Sequence, residues 1–340
     1  MEPTTYIVPV NIIVDEIINI LNKLEEVEEK QEILNYLNNY NITSQEIYYW
    51  LLNNQDNSNS VLLLGVFYYL GIWIDVNKQK AFELYQKAAN LSNSIAQYNL
   101  AFMYDKGDYV NQDREKAFEL FKKSSEGEYP ESICMLGYYY QYGIETDLDS
   151  KKAFELYQKA ANLGNIIAKY NLAFMYKNGE NYWTRTDENN EEAFKLFNDA
   201  ARKNHILSQY YVGLCYEFGH GTEKNENSAF EYFKKIADQN YALGQLKIGY
   251  FYYKGINTKK NLKEAFIWHQ RAAENGNLMA MFNLGKMYKN GEGTDKDIEQ
   301  AIYWCNKSFE GGNQTEKVQK FVEKLTKIKN RKTCKKCTVS

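Results

Sequence analysis

Proline is almost missing from this chain, with three in 340 residues. Proline stops helices by removing a backbone donor and clashing with the preceding turn, so its scarcity leaves room for helix after helix. Long apolar runs are missing too. No stretch approaches the roughly 18 apolar residues of a membrane-spanning helix. The opening MEPTTYIVPV has neither a basic region nor an apolar core of signal-peptide type. Cysteine is scarce, five in all and without a repeating spacing, which argues against a disulfide framework. Together these absences lead us to expect a cytoplasmic protein.

Catalytic signatures are equally absent. There is no H-E-x-x-H, no G-x-S-x-G and no phosphate-binding G-x-x-x-x-G-K-[ST] loop. The three histidines, His205, His220 and His269, are far apart in sequence. His205 falls between two helical segments and His220 in a glycine-rich turn. His269 stands where other copies of a repeat carry Tyr85, Phe121 or Phe233, so it reads as a core substitution. Cys134, Cys215 and Cys305 fall on helices at different repeat positions and read as buried thiols. Gly219–Thr222 and Gly291–Thr294 only superficially resemble phosphate loops, since both fall at turns that already require glycine. No enzyme activity, metal or cofactor is expected.

Charge of one sign is confined to the end. The net charge is −3, but residues 317–340 carry nine Lys or Arg against one Glu. The body is therefore acidic, and nucleic acid is not an expected partner.

What the chain does have is tyrosine, 30 of them, and a repeat. KAFELYQKAANLSNSIAQYNLAFMYDKG, from Lys80 to Gly107, returns at Lys152–Gly179 with few changes, and a looser copy starts midway at Lys116. The period is 36 residues. A repeat of that length means a stacked array of helix pairs. A small residue opens the first helix of each unit: Ser60, Ala96, Ser132, Ala168, Ser208, Gly244, Ala280. Eight positions on, a tyrosine recurs in all seven, from Tyr68 to Tyr288. A glycine then closes the helix, from Gly71 to Gly291, as a left-handed cap requires. Alanines from Ala81 to Ala301 open the second helices. Between Gly179 and Ala193 four extra residues enter, with Trp183 among them, and belong to a loop.

The flanks differ. Residues 10–38 read as helix, with a charged stretch over Glu25–Glu32 that bends or interrupts it. Thr43-Ser44-Gln45-Glu46 is a capping box that opens another helix. Residues 1–54 are thus a helical cap or a separate hairpin, 60–312 the array, 313–328 a capping helix, and 329–340 a basic disordered tail.

The pattern A-x-x-x-L-G-x-x-Y-x-x-G followed by K-A-x-x-x-Y-x-K-A-A resembles the Sel1-like repeat, a relative of the tetratricopeptide repeat. The resemblance covers seven units over residues 60–312. It implies an all-α fold, a right-handed α-solenoid of helix-turn-helix repeats with helical caps and a concave groove. It also implies a scaffold or adaptor, as in signalling pathways, that binds a protein partner. Two other roles come with the family: a prenylated regulatory subunit of a membrane enzyme such as chitin synthase, and β-lactam hydrolysis in a cysteine-rich branch. The paired cysteines of that branch are absent here.

Alignment with the tetratricopeptide pattern turns the third and seventh positions of each first helix toward the groove. These are Tyr98 and Phe102, Cys134 and Tyr138, Tyr170 and Phe174, Tyr210 and Leu214, Leu246 and Tyr250. Residues four apart share a helix face, and tyrosine offers apolar area with a hydroxyl at low entropic cost. Asn99, Asn171 and Asn283 share the next position and could clamp a peptide backbone. The competing reading is that these aromatics pack between neighbouring helices.

The chain ends KIKNRKTCKKCTVS. Cys337-Thr338-Val339-Ser340 fits a C-a-a-X prenylation box, with Cys334 as a palmitoylation candidate and a basic stretch upstream. The expectation is peripheral membrane association through this tail.

Overall fold

Asparagine and aspartate start most of the helices whose N-caps are described. In the computed structural model, which describes residues 9–21, 29–178 and 187–337, every second helix with a described N-cap is capped by one of the two. Asn77, Asp113, Asp149, Asn225, Asn261 and Asp297 each accept a backbone N–H of the first turn. Each such cap contributes about 1 kcal/mol. The same N-caps are tied backward. Their own N–H donates to the carbonyl of the recurring tyrosine, from Asn77 to Tyr68 (2.8 Å) through Asp297 to Tyr288 (2.9 Å).

Between tyrosine and cap the chain turns through two left-handed residues. The first is the closing glycine, with φ between 61° and 75° at Gly71, Gly107, Gly143, Gly219, Gly255 and Gly291. The second lies two residues on, and here the repeats diverge. Trp73, Tyr109, Glu145 and Asn257 hold positive φ despite their side chains, whereas Gly221 and Gly293 fill the other two. A Cβ on Gly221 would overlap the carbonyl of Asn190, and one on Gly293 that of Leu262.

The described residues form eighteen helices and no strand. The chain divides into two compact units, residues 1–168 and 169–340. In the first unit, α1 (Val10–Leu21), α2 (Glu29–Asn39) and α3 (Ser44–Asn53) precede the first repeat. Three helix pairs follow: α4 (Ser58–Leu70) with α5 (Lys78–Asn90), α6 (Ser94–Lys106) with α7 (Arg114–Glu126), and α8 (Pro130–Tyr142) with α9 (Ser150–Asn162). Helix α10 (Ile166–Asn178) enters the second unit. There follow α11 (Asp187–Arg202), α12 (Ile206–Phe218) with α13 (Glu226–Asp238), α14 (Ala242–Lys254) with α15 (Leu262–Glu274), α16 (Leu278–Asn290) with α17 (Ile298–Glu310), and α18 (Glu316–Cys337). The first helices begin two residues ahead of the small residue, and most second helices three ahead of their alanine, because the cap precedes the repeat pattern.

Small residues let the paired helices close up. Gly213 faces Phe233 so tightly that a Cβ there would stand 2.6 Å from the ring. Where Ser124 replaces the usual alanine it is fully buried, and it donates to Ser94 O (2.7 Å) while accepting from Ser132 (2.6 Å). A buried hydroxyl so paired avoids the cost of an orphaned polar group.

The N-terminal helices pack on the first repeat. Ile13, Val14, Ile17 and Ile18 of α1 share one core with Ile47 and Leu51 of α3 and with Leu62, Leu63 and Val66 of α4. The expected capping box at Thr43 and Glu46 is formed. Lys30 of α2 donates to the carbonyls of Leu70 (3.3 Å) and Gly71 (2.7 Å), covering the open end of α4. At the other end, Val318 and Leu325 of α18 are buried and Phe321 meets Phe282 edge-on at 5.4 Å. This helix corrects one expectation. It does not stop at Ile328 but continues to Cys337, so the basic tail is not disordered over 329–337. No proline or glycine interrupts that stretch, lysine and arginine are good helix formers, and positive charge suits a helix C-terminus. The four-residue insertion with Trp183 lies outside the described residues.

Candidate functional site

Five positions share the face of each first helix that is turned away from its opening small residue. Counted from the small residue they are two, three, six, nine and ten residues on, and at about 100° per residue they fall within one third of the helix circumference. We call this face the stripe. In the first repeat it is Leu62, Leu63, Val66, Tyr69 and Leu70, and the first three are buried under the N-terminal helices. The open stripe starts at α6.

In the first unit the stripe of α6 holds Tyr98, Asn99, Phe102, Asp105 and Lys106. Tyr98 is half-buried and packs on Phe121 (5.8 Å), Tyr129 (5.3 Å) and Phe102 (6.2 Å). Asn99 is half-buried. Asp105 is held from two sides. Tyr139 donates to it at 2.6 Å and Lys106 pairs with it at 3.1 Å. On α8, Cys134 is buried, while Tyr138 and Tyr142 are 42% and 59% exposed with ring centroids 4.7 Å apart.

In the second unit, α10 contributes Tyr170, Asn171 and Phe174. Tyr170 is half-buried against Phe197 (5.9 Å), His205 (5.0 Å) and Tyr211 (5.9 Å), and Phe174 meets Tyr211 edge-on at 5.3 Å. Asn171 is half-buried and engaged by neighbours. Tyr210 packs on Phe233 at 5.8 Å. Phe218 and Tyr250 are 57% and 39% exposed. Glu217, almost buried, pairs with Lys247 of the next first helix at 2.6 Å.

The nine groove residues expected from sequence thus fall into two kinds. Tyr98, Phe102, Tyr170, Phe174 and Tyr210 interlock with neighbouring helices, with one edge open, and Asn99 and Asn171 sit beside them. Tyr138 and Tyr250 stand out from the surface. Sequence reasoning missed Tyr142 and Phe218. Both sit four residues beyond the seventh position, on the same face, so extending the i, i+4 count by one step finds them.

The histidines and the three helix cysteines make capping or packing contacts. His205 caps α12, its Nδ1 accepting from the Ser208 N–H at 3.3 Å. His220 stacks on Phe218. His269 is buried with Nδ1 unpartnered, and burial, then the nearby Lys286, hold its imidazole down at about 4. Cys134, Cys215 and Cys305 are buried and unbridged. Burial pushes the Cys215 thiol up to about 11 and that of Cys305 to about 12, far from a reactive thiolate. Among the described residues no group of three or more His, Cys, Asp or Glu could hold a metal ion. No helix among them is long and apolar enough to cross a membrane. The backbone of Cys334 and Cys337 lies in α18, their side chains are not described, and residues 338–340 lie outside the described residues.

Comparison with known proteins supports this architecture. Seven consecutive matches to the Sel1 repeat cover residues 58–93, 94–129, 130–165, 166–205, 206–241, 242–277 and 278–313. Among solved structures, a protective antigen present in uropathogenic Escherichia coli strains, displaying an SLR fold, is similar at 25% identity and a TM-score of 0.68. The match covers 91% of this chain and 66% of that one, so this chain spans just under two thirds of its length. A Sel1 repeat protein from Oxalobacter formigenes aligns with a TM-score of 0.62 at 22% identity, over 89% of this chain and 82% of that one. A search of curated proteins gives no match. Arrays of this kind are typically scaffolds that bind protein partners. With the repeat model matched from residue 58 to residue 313 and the helix pairs stacked as that repeat requires, the chain belongs to the Sel1 repeat family.

Proposed function

We propose that this protein is a non-catalytic scaffold that holds a partner peptide or domain against its first-helix stripe. The observation that carries this reading is that four of the exposed aromatics share stripe positions, Tyr138 and Tyr142 in the first unit and Phe218 and Tyr250 in the second. Exposed aromatics that recur at matching repeat positions are a feature that marks protein contacts. The mechanism is positional. The array holds one protein and so controls what it meets, without a chemical step.

The interlocked residues make poor probes, because replacing Tyr98, Phe102 and Tyr170 with alanine would also loosen helix packing. The exposed four make good ones. A variant with Tyr138→Ser, Tyr142→Ser, Phe218→Ser and Tyr250→Ser keeps the wild-type circular dichroism and melting temperature. It loses the proteins that co-purify with wild type in a tagged pull-down read by mass spectrometry. An unchanged partner list would sink the proposal.

A further inference from the structure

The stripe of the second unit is basic as well as aromatic. Lys177, Lys247, Lys254, Lys286 and Lys289 occupy stripe positions of α10, α14 and α16, against the single carboxylate of Glu217. Each ammonium sits over an aromatic ring. Lys177 lies 5.2 Å from the Phe174 centroid and 5.1 Å from that of Tyr211. Lys247 lies over Phe218 (5.4 Å) and Phe233 (5.3 Å), and Lys254 over Tyr253 (5.8 Å). Lys286 lies over Phe282 (5.0 Å) and Lys289 over Phe321 (4.9 Å).

Cation–π contact holds a lysine head close to the surface instead of letting it sweep through solvent. Only Lys247 has a carboxylate partner among the described residues. Lys286 is half-buried. Burial, then Lys317, hold its ammonium below the usual lysine range. An arriving carboxylate would relieve that cost. The open stripe of the first unit differs. It has one lysine, Lys106, already paired with Asp105.

We propose that the stripe of the second unit docks an acidic peptide segment with interspersed apolar side chains, its carboxylates on the ring-seated lysines and its apolar groups on Phe218 and Tyr250. This proposal rests on the scaffold reading above and adds the chemistry of the partner. A single-stranded nucleic acid is the weaker occupant. The stripe has lysine but no arginine, and most of its rings lie under lysines or against one another, with Phe218 and Tyr250 the exposed exceptions.

The test uses the full chain and three fluorescein-labelled probes. Two are short peptides with leucine and phenylalanine at alternate positions, one with glutamate between them and one with lysine. The third is an oligothymidylate. At about 50 mM salt the acidic peptide should bind at least about ten-fold tighter than the basic one, and raising salt to about 300 mM should remove most of that preference. The triple variant Lys177→Glu, Lys254→Glu, Lys289→Glu should reverse the preference with its fold intact by circular dichroism, whereas Lys106→Glu should not. Equal binding of both peptides, weakened for both by Phe218→Ser with Tyr250→Ser, would overturn the acidic partner and leave the scaffold standing. Failure of both peptides to bind overturns the two readings together. Oligothymidylate that binds tighter than the acidic peptide and is not displaced by it overturns this one in favour of nucleic acid.

Discussion

In the first unit the open stripe shows hydroxyls and rings, with its one acid and one lysine already paired to each other. In the second unit the same positions carry five lysines and one glutamate. The units are built from the same repeat, and their packing positions are nearly interchangeable. The contrast teaches where an array of this kind stores its differences. Positions that face the next helix converge on small and aromatic residues, while positions that face outward are free to change charge.

That contrast can be broken at the turns. Gly293→Val should cost about 4 kcal/mol, because its side chain would start inside the backbone of Leu262 at a φ that favours glycine. Glu145→Gly, at the matching turn of the first unit, should instead be neutral or stabilise by about 0.5 kcal/mol. Urea melts of the two variants check this; a mild Gly293→Val would remove the distinction.

Acid should separate the units next. The His269 imidazole titrates near 4 when folded, against 6.5 when free. The unfolded chain binds the extra proton first, so stability is full above pH 6.5 and falls as pH drops towards 4, by at most about 3 kcal/mol. The matching positions in the first unit are Tyr85, Phe121 and Tyr157, none of them an imidazole. Hydrogen exchange at pH 4.5 should show α14–α17 opening ahead of α4–α9, and His269→Phe should abolish the lead.

A smaller effect distinguishes the two kinds of stripe aromatic. Tyr170→Ala should cost about 2 kcal/mol through its lost ring contacts, and Tyr138→Ser less than about 0.5. Thermal melts of the single variants decide it. If the costs are equal, Tyr138 is a packing residue too. Least of all, Asp149→Ala in the first unit and Asn225→Ala in the second should each cost about 1 kcal/mol. Unequal losses would show that the caps are not equivalent.

Much of this was readable from residues alone, because a repeat states its packing rule several times over. Ala96, Gly107 and Tyr104 recur because a helix pair cannot close without them. The carbonyl role of that tyrosine was not readable, since a backbone bond from Asp113 to Tyr104 leaves no mark on side-chain choice. Nor was the division of the stripe. Tyr138 and Tyr170 are the same residue type on the same helix face, and only the neighbours differ: Phe197, His205 and Tyr211 cover Tyr170, whereas Tyr138 stays exposed beside Tyr142. Helix α18 ran past its expected end because its charged half has no apolar period to count, although nothing in it breaks a helix.

The turn glycines have a mechanical consequence. Gly221 and Gly293 let one repeat's turn rest directly on the backbone of the helix before it, at Asn190 and Leu262. Trp73, Tyr109 and Glu145 of the first unit and Asn257 of the second carry side chains at the matching places. Backbone seated on backbone has no rotamers through which to yield, whereas a side chain does. In a stack where each repeat touches only its neighbours, such joints set the local stiffness. The joints at Gly221 and Gly293 should therefore be stiffer than those at Trp73, Tyr109, Glu145 and Asn257.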